Sequence, residues 1–131
     1  MTGPRCVLDA SAVLAWLFRE RGGQVVDRML EHGALSSVNL AEVLYRSDEA
    51  GLRVERLEDD LKALGLRIVS FTDGDARLVP QIRRAAHRAR QRLSLADYCC
   101  LVTGVRLKLP ILGGDRAWEA LRLGIDVHPI R

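Results

Sequence analysis

Residues 5–18 read RCVLDASAVLAWLF: a short apolar run, an acid at Asp9, and then a helix-forming stretch. Arg5 to Leu8 is predicted to be a short buried strand and Ala10 to about Phe18 a helix. A strand-like run or a turn hands over to a helix at an acid three more times. SSVNLAEVLY (36–45) carries Glu42, LSLADYCCLV (93–102) carries Asp97, and ILGGDRAWEAL (111–121) carries Asp115.

Working outward, Gly22 and Gly23 break the chain, and Val25, Val26, Met29 and Leu30 line one face of a second helix that Gly33 stops. Ala34 to Ser37 is the next strand, before a helix starting near Asn39. Val54, Leu57, Leu61 and Leu64 recur at helical spacing, with Gly65 as the stop. Leu66 to Phe71 reads as a strand and Asp73 to about Arg90 as a helix, which Pro80 bends or restarts. Ser94 to Leu107 is an apolar helix, Pro110 to Leu112 a brief strand, Trp118 and Leu121 mark a last short helix, and Ile125 to Ile130 is a terminal strand. Strands alternating with helices give an α/β fold: a mainly parallel central sheet with helices on both faces. Right-handed crossovers align the carboxyl ends of the strands along one edge, where ligands of open α/β sheets bind.

At 131 residues the chain is expected to form a single domain, residues 1–131. Its 48% hydrophobic and 28% charged content excludes disorder. A net charge of +3 tolerates a polyanionic partner without requiring one. Cys6, Cys99 and Cys100 form no paired metal-binding spacing, so they read as reduced, packed thiols of a cytoplasmic protein. Asp9 interrupts the only signal-like segment, and no run reaches the length of a membrane span.

Each acid has a local explanation. Asn39-x-x-Glu42 and Ser94-x-x-Asp97 both resemble capping boxes, and Asp9 and Asp115 stand where helix N-caps would. Capping and metal binding are compatible, however, and four separate segments are expected to begin helices on one edge of one sheet. Carboxylates about 5 Å apart at an effective dielectric of about 20 repel by roughly 3 kcal/mol per pair. A cluster of four therefore calls for a cation or for protonation. A hard, oxygen-liganded magnesium or manganese ion fits, and hydrolysis of a phosphodiester by metal-activated water is the matching chemistry.

The order and wording of VLDASAVLAWL, SSVNLAEVL, LSLADYCCL and PILGGDRAWEALRLGIDVHPIR resemble the PIN-domain ribonucleases, specifically VapC-type toxins of bacterial toxin–antitoxin pairs. The resemblance spans nearly the whole chain. It implies a three-layer α/β/α sandwich, Mg²⁺-dependent endoribonuclease activity on RNA (with Mn²⁺ as a possible substitute), a VapB-type antitoxin and a homodimer. It also implies that Asp9 and Asp97 are direct metal ligands, while Glu42 and Asp115 complete the acidic pocket. One departure is Gly113, where many relatives carry a hydroxyl two positions before the last acid; Ser11 could supply a polar contact to Asp9.

Arg77, Arg83, Arg84, His87, Arg88, Arg90 and Arg92 precede the Asp97 motif, and Arg84, His87 and Arg88 share a helical face that could contact RNA phosphates. His32, His87 and His128 fit neither metal-ligand spacing nor a catalytic dyad. Trp16, Leu17 and Phe18 are core residues or part of a groove for an antitoxin helix, and Trp118 packs the last helix onto the sheet. The alternative to the nuclease is a PIN-like module that binds RNA or protein without catalysis. A receiver or dehalogenase-type phosphotransfer domain needs a second acid beside Asp9, where the chain has Ala10 and Ser11.

Overall fold

In the computed structural model, which describes residues 3–131, strand β1 (Cys6–Leu8) lies at the centre of a five-stranded sheet. The first two positions of the expected domain fall outside the described residues. The other strands are β2 (Gly33–Ser36), β3 (Arg67–Val69), β4 (Ile111–Leu112) and β5 (Val127–His128), in the spatial order β3-β2-β1-β4-β5. Every pairing is parallel, with Val7 opposite Ala34 on one side and Ile111 on the other. The helices are α1 (Ala10–Leu17), α2 (Gly23–Met29), α3 (Ser37–Glu49), α4 (Leu57–Ala63), α5 (Asp73–Arg88) and α6 (Leu95–Leu107). Short 3₁₀ turns occupy Leu30–His32 and Arg116–Leu121.

Period-two alternation in β1 assigns the layers. Cys6 and Leu8 enter one core with Val13, Val26, Leu35, Val43 and Leu61, from the side of α1 to α4. Val7 enters the other with Ile82, Ala86, Leu101, Ile111 and Trp118, from α5, α6 and the last 3₁₀ turn. Two buried cores on opposite faces make the three-layer α/β/α sandwich. Among the described residues, no helix is long and apolar enough to cross a membrane.

Several boundaries move. Strands β1, β3, β4 and β5 are shorter than expected, because only a few residues of each reach a neighbour in the ladder, and β2 keeps its four residues but starts one position earlier, at Gly33. Helix α3 begins at Ser37, and its N-cap is Ser36, whose hydroxyl accepts from the Val38 N–H at 3.2 Å. The expected Asn39–Glu42 capping box therefore does not form, and Asn39 is fully buried inside the first turn. Helix α5 runs through Pro80 without a restart, held at its start by a capping box between Thr72 and Asp75. Asp75 is fully buried and ion-paired with Arg106 of α6, which neutralises the carboxylate oxygen that has no other hydrogen-bond donor. The last short helix is 3₁₀, and Trp118 packs it against the sheet.

Candidate active site

Asp9 ends β1 and caps α1. Its Oδ2 accepts from the Ser11 hydroxyl at 2.5 Å and from the Ser11 backbone N–H at 3.3 Å. Its own N–H donates to Leu112 O at 3.0 Å, which fixes the residue between the ends of β1 and β4. Only 6% of Asp9 is exposed. Burial pushes its carboxyl above the usual range, the Asp97 charge pushes further, and the Ser11 hydroxyl pulls back.

Asp97 sits in the first turn of α6, in a complete capping box. Its Oδ2 accepts from the Ser94 N–H at 3.0 Å, and its N–H donates to the Ser94 hydroxyl at 3.1 Å. Glu42 lies one turn into α3. Burial raises its carboxyl as well, with Asp9 and Asp97 adding to the rise and Arg46 opposing it. Asp115 caps the last 3₁₀ turn, accepting from the Ala117 N–H at 2.9 Å, and is exposed.

These acids share one sheet edge but not one point. Asp9, Glu42 and Asp97 line an open cavity of about 520 Å³ together with Ser11, Arg46 and Arg131. Asp9, Asp97 and Asp115 line an adjoining cavity of about 320 Å³ that also holds Arg92 and Arg131. Asp9, Ser11, Asp97 and Arg131 form the wall common to both. Among the described residues, no three His, Cys, Asp or Glu side chains are grouped closely enough to hold one ion by themselves. The expected four-carboxylate cluster is thus a central pair with one acid on each flank. That suits a small hard cation, which takes one or two carboxylates and completes its shell with water and substrate oxygens. The donors on offer are carboxylate oxygens, and the elevated carboxyls of Asp9 and Glu42 are groups that a cation would relieve.

Two residues behind the acids escaped the sequence reading. Asn39 donates from Nδ2 to Ala96 O at 3.1 Å, tying α3 to the turn of α6 that carries Asp97, and its proximity lowers the Glu42 carboxyl slightly against the rise from burial. The hydroxyl pair Ser36–Ser37 was the available signal, since a cap at Ser36 puts Asn39 on the inner face of the first turn. Cys100 is fully buried under the site; burial and the nearby charges of Asp9, Asp97 and Glu42 push its thiol well up, so it stays protonated. All three cysteines are free and buried.

Gly113 has a structural reason. Its φ of +104° is left-handed, and a Cβ there would lie 3.2 Å from Asp9 Cβ and 3.0 Å from Ala12 Cβ. The hydroxyl that Asp9 receives comes from Ser11. On α5, the residues that face the acidic edge are Arg83 and His87, which line a third cavity with Arg92. Arg84 and Arg88, expected to share the substrate-facing side, line none of these cavities. His128 lines a separate hollow next to β5, and His32 lines neither acidic cavity. Trp16 and Leu17 line a cavity of about 720 Å³ between α1 and α2, whereas Phe18 borders the acids.

Residues 6–122 match the PIN domain, and the chain belongs to that family. Among solved structures, it is similar to a chain of the DNA-bound VapBC from Salmonella typhimurium, with a TM-score of 0.73 and 16% identity over 98% of this chain and 99% of that one. It is also similar to a chain of a toxin–antitoxin complex from Klebsiella pneumoniae (TM-score 0.76, 15% identity, 96% and 98% covered). A third match is a chain of FitAcB from Neisseria gonorrhoeae (TM-score 0.71, 23% identity, 95% and 97% covered). No curated protein matches the chain by sequence.

Proposed function

We propose that this chain is a single-domain, Mg²⁺-dependent endoribonuclease that acts in the cytoplasm as the toxin of a toxin–antitoxin pair. The observation that carries the proposal is the Asp9–Asp97 pair, shared by two cavities at the carboxyl edge of the sheet and held at raised electrostatic cost. PIN-family membership and the likeness to chains of toxin–antitoxin complexes support it.

Asp9 and Asp97 are the residues that would hold the ion, with Glu42 on one side and Asp115 on the other. A bound magnesium ion supplies charge for the phosphate and acidity for an attacking water. The chain does the rest. Ser11 and the capping hydrogen bonds of Asp97 fix the two carboxylates, so little reorganisation remains when substrate arrives. Glu42, whose carboxyl is raised, accepts the proton of the attacking water in the larger cavity. Asp115 holds the leaving-group side, and Arg46, Arg92 and Arg131 balance the phosphate charge.

A VapB-type antitoxin is the proposed partner, with the α1–α2 cavity beside Trp16 and Leu17 receiving an apolar helix, and a homodimer is the proposed assembly. Incubation of the purified chain with cellular RNA, with magnesium or with EDTA, tests the reading. Cleavage that needs the ion and disappears in Asp97→Asn is expected. The division of the acids between two cavities favours one second reading, a PIN-like binding module without catalysis. RNA binding with no ion-dependent cleavage would select it.

A further inference from the structure

Beside the two acidic cavities lies a third, of about 330 Å³, lined by Arg83, His87, Gln91, Arg92, Leu93 and Tyr98. It shares Arg92 and Leu93 with the cavity that holds Asp9, Asp97 and Asp115. No acid lines it. Arg83 and His87 stand one helical turn apart on α5, both exposed, and Arg92 is exposed in the connection to α6. Tyr98 directly follows Asp97 on α6, so the same helical turn that presents the catalytic acid forms part of the wall. Gln91 Nε2 donates to Ala117 O at 2.5 Å, which ties this wall to the turn capped by Asp115.

We infer that this hollow is a nucleotide-binding subsite for single-stranded RNA, seating a base one step along the strand from the scissile phosphate and setting the cleavage preference. The inference rests on the proposed nuclease reading. Three features support a nucleotide over a simple anion. An aromatic ring and an imidazole offer flat faces for a base, and Leu93 adds apolar contact. Gln91 keeps its amide oxygen for a base edge, because its amide nitrogen is already committed to Ala117. Arg83 and Arg92 bracket the hollow with charge suited to the phosphates on either side of that base. The three cavities then form one path, running from Arg83 and His87 past Asp9 and Asp97 to Arg46. Arg83 and His87 stand at one end of this path, while Arg92 and Arg131 lie beside the acids in the middle.

The test measures binding of short fluorescent RNA homopolymers to the full chain by anisotropy, in magnesium-free buffer over a salt series. The wild-type chain should prefer one homopolymer. Arg83→Gln and Arg92→Gln should weaken all RNAs alike, each reducing the salt slope by about 0.7. His87→Ala and Tyr98→Ala should weaken the preferred RNA about tenfold and flatten the preference. His87 is exposed, so its variant keeps the test valid if Tyr98→Ala does not fold. Unchanged affinity, preference and salt slope in His87→Ala and Arg92→Gln overturns the subsite, as does tighter binding of the matching DNA strands. Cleavage in magnesium is followed on the same proteins. If the wild-type chain cleaves nothing while the binding differences hold, the nuclease reading fails, and with it the role in cleavage preference, while the base-binding hollow itself stands. If His87→Ala cleaves with unaltered KM and unaltered cut sites, the subsite fails and the nuclease reading stands.

Discussion

Asp9→Asn keeps the shape of the side chain and removes its charge, and it should make the protein more stable while abolishing its activity. Asn caps a helix as well as Asp does, and its oxygen can still accept from the Ser11 hydroxyl and N–H. Those bonds lose their charge assistance, at a cost of about 1 kcal/mol. Against this, burial and then the nearby Asp97 charge both disfavour the Asp9 carboxylate, and relief of a like-charge contact a few ångströms across at an effective dielectric of about 20 is worth roughly 3 kcal/mol. The balance favours Asn by about 2 kcal/mol, which for a chain of this size raises Tm by roughly 6–8 °C. The pH dependence has a fixed sign. Asp9 is raised from its ordinary 3.8, so the folded state prefers the protonated form. The wild-type chain bears no penalty below that value and loses stability as pH climbs through the raised one. The advantage of Asn should be present at pH 7 and vanish in acid. Thermal unfolding at both pH values, with and without magnesium, measures all of this. Magnesium should raise the Tm of the wild-type chain at neutral pH and leave the variant unmoved. A variant that melts below wild type at pH 7, or responds equally to magnesium, refutes the electrostatic account of the site.

Gly113→Ser, which restores a hydroxyl, should cost about 2 kcal/mol through its left-handed backbone and press on Asp9, lowering kcat; melting and cleavage rates check it. Asn39→Ala should cost about 2 kcal/mol and reduce cleavage about tenfold, because the Asp97 turn loses its tie to α3, the helix that carries Glu42; denaturant unfolding and single-turnover kinetics separate the two effects. Asp75→Ala strands Arg106 beside a buried cavity and should destabilise by about 3 kcal/mol with no change in the metal requirement, read by urea unfolding and a magnesium titration of activity.

The architecture was legible because each strand announces itself as an apolar run beside a turn, and because Cys6, Val7 and Leu8 are all apolar, as a strand buried on both faces must be. The placement of Asp9, Asp97 and Asp115 at helix starts was legible for the same reason, since caps have a composition. Asn39 was misread because two cap signals overlapped, Ser36 three residues ahead of Asn39, and propensity cannot rank them. The split of the acids into a pair and two flanks was not legible at all. It depends on how far α3 and the last turn stand from the end of β1, a matter of packing between segments. Of the α5 face expected from the sequence, His87 lines the cavity beside the site, with Arg83 in place of Arg84 and Arg88, and only the angle at which α5 crosses α6 decides that.

The hydrogen bond from Asp9 to Leu112 joins positions at opposite ends of the chain, as does the pairing of Leu8 with Leu112. At about 5–20 residues per second, a ribosome makes the first partner roughly 5–20 s before the second. Until β4 emerges, the central strand has a neighbour on one side only, and Asp9 lacks the backbone partner that fixes it. Under the proposed function, chemistry that needs Asp9 fixed beside Leu112 therefore waits until β4 has been made.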